Sequence, residues 1–210
     1  MTPPLDPQQA AALYSHVLDD VLETMALAAP AEGLEPVLAV HPPEAVSSLA
    51  ERAPAAFRVI AQRGADLGAR MSFAVAEAAA GGLTPILVRG SDSPGLTPET
   101  LSEAVERLGT ADLVVCPDRD GGYNLVGLHT PSAGLFSHRM STATSLDELL
   151  ERAAARRLSV ARLAEGFDLD TIVDLTWLAQ ARDRGDTLPC PRTLAFLDEH
   201  RLWRYLPGAR

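Results

Sequence analysis

Apolar residues along the chain keep two rhythms that take turns. The first is helical: Leu13, Val17, Val21 and Met25 recur at three- to four-residue intervals, with Leu22 beside Val21. Asp6 followed by Pro7 reads as an N-cap and a first helical position, and Pro30 and Gly33 close the segment, so a helix is predicted to run through 10–29. The second rhythm is a short continuous apolar run bounded by breakers. It occurs at 36–41 (PVLAVH), 57–61, 84–88 (TPILV), 112–116 (DLVVC), 123–128 (YNLVGL) and 159–163, each predicted as a strand. Helices are predicted between them: from the Pro42-Pro43 pair toward Glu51, over 67–80 ending at Gly81-Gly82, and from a Thr97 cap to Leu108. Another covers 145–156, with Ser145 and Glu148 at capping-box spacing, and two more cover 172–183 and 192–200.

Strands that are continuously apolar need cover on both faces. Alternating with helices, they predict an α/β fold with a mostly parallel sheet flanked by helices. No repeat or low-complexity linker divides the chain. One domain is therefore expected over 1–184, with 185–210 as a C-terminal helical appendage. At 210 residues and 47% hydrophobic the chain can bury one sizeable core. Aromatics supply only 5%, so that core is built from Ala, Leu and Val.

Charge narrows the function classes. Eighteen basic against 28 acidic residues leave a formal net charge of -10, which repels a nucleic-acid backbone. A small anionic ligand remains compatible, because a metal or a helix N-terminus can hold one locally. Two cysteines, Cys116 and Cys190, are too few for a disulfide framework or a zinc cluster and read as reduced thiols of a cytoplasmic protein. No apolar run reaches the length of a membrane span, and Met1–Asp6 does not resemble a secretory signal.

In open α/β sheets ligands sit beyond the carboxyl ends of the strands. Three acidic groups occupy such places: Asp92 after TPILV, Asp118 and Asp120 after DLVVC, and Asp168, Asp170 and Asp174 after the last strand. Converged, they would suit a hard divalent cation such as Mg²⁺ or Mn²⁺; singly, each better suits a turn or a helix cap. Gly121-Gly122 permits close approach of a ligand. The stretch 62–71 (QRGADLGARM) is a Gly-bearing turn into a helix. It either presents backbone groups and Arg70 to a nucleotide or simply starts a helix capped by Asp66.

Taken in order, 62–71 (QRGADLGARM), 90–94 (GSDSP) with Leu96-Thr97-Pro98, 117–128 (PDRDGGYNLVGL), Ser141-Thr142 and 168–175 (DLDTIVDL) resemble one family. It is the GT-A-like glycosyltransferase family that includes the selenodomain-associated transferases, within the nucleotide-diphospho-sugar transferase superfamily. The resemblance covers about residues 4–178. It implies a GT-A fold and a divalent metal clamping a nucleotide diphosphate, with Asp92 and Asp170 as metal ligands. It implies nucleotide contacts at Gln62, Gly64 and Gly68, joined by Arg70. Asp120 is the implied acceptor-side base, and Gly121, Gly122 and Tyr123 line the sugar or acceptor.

The chain also departs from that pattern. The family opens with a central strand and a Lys-, Pro- and Gly-containing phosphate loop, and this sequence starts with the segment that follows them. Ser93 stands where many relatives carry Cys, and Met140 where many carry Trp. The neighbours of the first strand are therefore expected to keep unpaired edges, an arrangement that invites a homodimer. Either the true start lies upstream or the protein is a shortened paralogue. Glycosyl transfer from a nucleotide sugar to a small acceptor is the leading expectation. Nucleotidyl transfer to a phosphorylated small molecule and a non-catalytic interaction module are the alternatives.

Overall fold

Asp6 starts the first helix as its position predicts. Its carboxylate accepts the Gln9 N–H at 2.8 Å, and the Gln9 side chain reaches back to the Asp6 N–H. The computed structural model describes residues 1–206, so the last four residues of the predicted appendage lie outside the described residues. The elements are α1 (Pro7–Ala31), β1 (Val37–Val40), α2 (Val46–Arg52), β2 (Arg58–Ala61), α3 (Leu67–Ala80), β3 (Ile86–Arg89) and α4 (Pro98–Leu108). They continue with β4 (Leu113–Pro117), β5 (Tyr123–Leu128), α5 (Ser145–Ala155), β6 (Val160–Arg162), α6 (Leu175–Arg184) and α7 (Pro191–Glu199). Short 3₁₀ turns precede α2 and α6 and follow α7.

Side-chain caps explain several of these boundaries. Asp66 accepts from Ala69 N–H at 2.8 Å and starts α3, and Thr97 does the same for α4. The predicted box between Ser145 and Glu148 does not form. Thr144 takes the N-cap position, because the Ser145 hydroxyl is committed to the Arg139 carbonyl and the Thr142 N–H. Glu148 instead accepts from the Thr144 hydroxyl at 3.0 Å.

The strands form two sheets among the described residues. β1 and β2 pair in parallel; the other sheet has the order β3-β5-β4-β6. Within it β5 alone runs against its neighbours, while β4 and β6 are parallel. The short loop 118–122 is the reason, since it can return the chain only as an antiparallel neighbour. β4 and β5 are central and almost wholly buried. β1 and β3 each pair on one edge only, and their apolar residues are mostly half-buried. Both sheets rest on a shared layer: Leu34 before β1, Phe57 before β2 and Leu87 of β3 all pack against one apolar cluster.

That cluster holds Met25 and Ala28 of α1, Leu101 and Ala104 of α4, and Val114 and Cys116 of β4. On the opposite sheet face, Val75, Leu113, Val115, Val126 and Leu149 join α3 and α5 to the strands. A third cluster, including Leu13, Val17, Leu175, Leu178, Cys190 and Leu197, packs α6 and α7 on α1. Buried Asp20 of α1 secures this last contact by accepting from the N–H groups of Arg192 and Thr193 and from the Thr193 hydroxyl. Cys116 and Cys190 are thus both free and buried, in different clusters. Among the described residues, no helix is long and apolar enough to cross a membrane.

Candidate active site

The turn after β3 and the segment after β6 meet. The Leu169 N–H donates to the Asp92 carbonyl at 3.0 Å, which brings its neighbours Asp168 and Asp170 to the Asp92 turn. Asp92, Asp168 and Asp170 each offer a carboxylate oxygen, and these atoms all lie within 4.8 Å of one another. Two of the three are residues the sequence nominates as metal ligands. Asp168 is the third, and sequence spacing gave no reason to prefer it over Asp174.

Asp174 has a different task. It accepts from Thr171 N–H at 2.6 Å and from the Thr171 hydroxyl at 2.9 Å, capping the 3₁₀ turn before α6. Asp118 is buried at the end of β4, where Asn124 donates to it at 3.1 Å.

Like charges at this end of the sheet raise one another. Asp168 is pushed up to about 7, by burial first and then by Asp118, Asp170, Asp92 and Asp120. Asp170 is raised by burial and by Asp92, Asp174 and Asp120. Asp118 is raised mainly by burial, against the hydrogen bonds it accepts. Carboxylates that repel one another in a partly buried site have the donor chemistry of a hard divalent cation, which would relieve that repulsion. The residues present therefore fit Mg²⁺ or Mn²⁺.

Asp120 lies on the exposed loop after β4. One of its oxygens, Oδ1, accepts the Gly122 N–H at 2.7 Å. Gly121 takes a φ of +92°, and a side chain there would strike the backbone of Ala143, so this turn requires glycine. Tyr123 points its hydroxyl at His138 Nε2, 3.1 Å away, and packs with the α3–α5 cluster.

The nucleotide-side candidates have structural tasks as well. Gln62 donates to the Ala39 carbonyl at 3.1 Å, at the end of the two-stranded sheet. Gly64, with a φ of +144°, lies against the backbone of Ala69 and Arg70, and Gly68 lies against the Phe136 carbonyl. Arg70 is the exception: its Nε is buried and has no partner. The sequence reading passed over Arg89, whose only signal is a charge at the end of the apolar run ILVR.

A mixed α/β sheet flanked by helices, with acids gathered beyond its strand ends, defines a GT-A-like fold of the nucleotide-diphospho-sugar transferase type. The structure is similar to a solved structure from Desulfovibrio desulfuricans G20 described as a "putative nucleotide-diphospho-sugar transferase". The TM-score is 0.82 at 27% identity, covering 96% of this chain and 88% of that one. The chain belongs to the family described as "uncharacterized protein conserved in bacteria (DUF2064)", which it matches over residues 24–142. It is also similar to the DNA mismatch repair protein MutL of Caulobacter vibrioides, in two strains, at 40% identity over 94 residues. That match spans 42% of this chain and only 14% of the MutL length.

Proposed function

We propose that the protein is a metal-dependent transferase acting on a nucleotide-activated donor, with a nucleotide sugar as the donor class and a small molecule as acceptor. The observation that carries this reading is the convergence of Asp92, Asp168 and Asp170, in a fold similar to that of the Desulfovibrio protein. In this reading the three carboxylates hold Mg²⁺ or Mn²⁺, and the ion, when bound, supplies positive charge to a diphosphate leaving group.

The remaining roles belong to the chain itself. Arg70 is the nucleotide-side cation, and its unpartnered buried Nε suits an anionic oxygen. Gln62, Gly64 and Gly68 shape the turn on which the base rests. Asp120 takes the acceptor proton through the carboxylate oxygen that the Gly122 N–H leaves free. Gly121, Gly122 and Tyr123 form the wall beside it. A DNA-directed role draws no support from a chain of net charge -10.

The test is a thermal-shift titration with uridine, guanosine, cytidine and adenosine diphosphates, with and without Mn²⁺. A metal-dependent rise with one base is expected, about 2.7 kcal/mol at a ligand concentration near 100 times Kd. It should vanish in Asp92→Ala. Turnover of the matching nucleotide sugar should then release nucleoside diphosphate. Pyrophosphate release from a nucleoside triphosphate would instead establish nucleotidyl transfer. No shift with any nucleotide would overturn the reading in favour of a non-catalytic module.

A further inference from the structure

Arg89 is the one charged residue of β3, and it stands immediately before the turn that carries Asp92. Its guanidinium is folded under that turn. Nε donates to the Gly90 carbonyl at 3.0 Å and Nη2 to the Ser93 carbonyl at 2.7 Å, so one fork holds both ends of the Asp92 turn. Nη1 is buried and unpartnered, and among the described residues Arg89 makes no ion pair. Burial lowers its pKa to about 10, with the negative charge of Asp92 the first opposing influence, so it stays protonated at neutral pH.

A buried guanidinium without a carboxylate partner is costly, and an apolar side chain of similar length would avoid that cost. The turn above it also needs an anchor. Gly90, Ser91, Ser93 and Gly95 give it small side chains, and glycine leaves its backbone loosely restricted. Its other ties include the Gly90 N–H to the Asn124 carbonyl and the Leu169 N–H to the Asp92 carbonyl, both 3.0 Å, the exposed Tyr14–Ser91 hydroxyl pair at 2.7 Å, and the Leu96 N–H to the Ser93 carbonyl at 3.3 Å. The first two fix the start of the turn and its tip; at its exit Arg89 makes the shorter bond to the Ser93 carbonyl and is the group that ties this exit back to the start.

We propose that Arg89 is the positioning residue of the carboxylate cluster: its fork on Gly90 and Ser93 sets the turn so that Asp92 meets Asp168 and Asp170. The inference rests on the reading of that cluster as a divalent-cation site. Arg89 touches neither donor nor acceptor and acts through the backbone of the turn.

The experiment compares wild type with Arg89→Met, Arg89→Lys and Leu101→Ala, the last a destabilising change in the apolar cluster on α4. Mn²⁺ affinity is read from the loss of the free-ion electron paramagnetic resonance signal, and amide hydrogen exchange is followed at Ser91–Ser93 and along β5. Arg89→Met should weaken Mn²⁺ binding by about tenfold or more, as loss of a supporting residue behind metal ligands does. It should speed exchange at Ser91–Ser93 while β5 is unchanged. Arg89→Lys keeps the charge but cannot hold both carbonyls, so its loss should be intermediate. Leu101→Ala should keep wild-type Mn²⁺ affinity.

Equal Mn²⁺ affinity in Arg89→Met and wild type overturns the proposal, as does an equal loss in Leu101→Ala. Should Arg89→Met fail to fold, wild-type affinity and exchange in Arg89→Lys overturn it. A wild-type chain that binds no Mn²⁺ overturns the cation-site reading instead. The exchange at Ser91–Ser93 then decides the role of Arg89 by itself.

Discussion

Asp168 has its carboxyl pushed up to about 7, against an unfolded value of about 3.9. Between those values the folded protein holds a proton that the unfolded chain releases. This group's contribution is therefore most favourable at the acid end of the window and is lost as pH rises through the folded value. A divalent cation competes for the same oxygen, so stabilisation by Mn²⁺ should grow as pH rises through about 7. Melting curves with and without Mn²⁺ between about pH 5.5 and about pH 8 check this, and a constant Mn²⁺ effect would contradict it. Asp168→Asn should move the two curves in opposite senses. The metal-free protein gains roughly 2–4 °C at neutral pH if about 1 kcal/mol is relieved in this half-exposed group. The Mn²⁺-dependent rise is lost.

Gly68 is a second residue whose environment reverses an ordinary rule. Glycine inside a helix usually costs about 0.5–1 kcal/mol relative to alanine. Here an added methyl would run into the Phe136 carbonyl, so Gly68→Ala should destabilise by about 1–3 kcal/mol in urea unfolding. Asp92 and Asp170 were singled out by the family resemblance, since position after a strand offered Asp168, Asp170 and Asp174 alike. Asp168 was visible only as one of several acids. Its convergence with Asp92, 76 positions earlier, depends on two strand ends that no local spacing relates. Arg89 escaped notice because the apolar run TPILV was taken to end one residue before it.

At the scale of elements, local chemistry sets most boundaries. α3 runs from the Asp66 cap to Gly81, and α4 from the Thr97 cap to Gly109, as a reading of caps and breakers predicts. The helix α5 starts at Ser145 as predicted, but its cap was not legible in the same way. The choice between Thr144 and Ser145 depends on the Arg139 carbonyl, which tertiary folding brings to the Ser145 hydroxyl. α7 depends even more on a distant residue, since the carboxylate that caps it comes from α1. Asp20→Ala strands two buried N–H donors and a hydroxyl and should cost about 2–3 kcal/mol. Asp20→Asn should recover part of that stability, because its amide oxygen still accepts. Urea unfolding of the two variants makes the comparison.

For the whole molecule, the alternation of strand and helix foretold the fold class, and the loop 118–122 explains why one strand of the larger sheet is reversed. The division into two sheets was not foreseen, since one mostly parallel sheet was expected and strand order is set by contacts between distant segments. The two sheets nevertheless lie on one helical layer, while α6 and α7 stand on a separate cluster against α1. Each of those two clusters holds one cysteine, and burial raises both thiols, Cys116 to about 11 and Cys190 to about 12. The protein therefore carries two silent chemical clocks. A thiol-reactive dye can reach either sulfur only when its surroundings open, so labelling rates report the opening of each half separately. Cys190, at the start of the short α7, should label before Cys116, which is held in the central strand β4. Asp20→Ala should hasten the first clock, and the second only as far as whole-molecule unfolding is hastened.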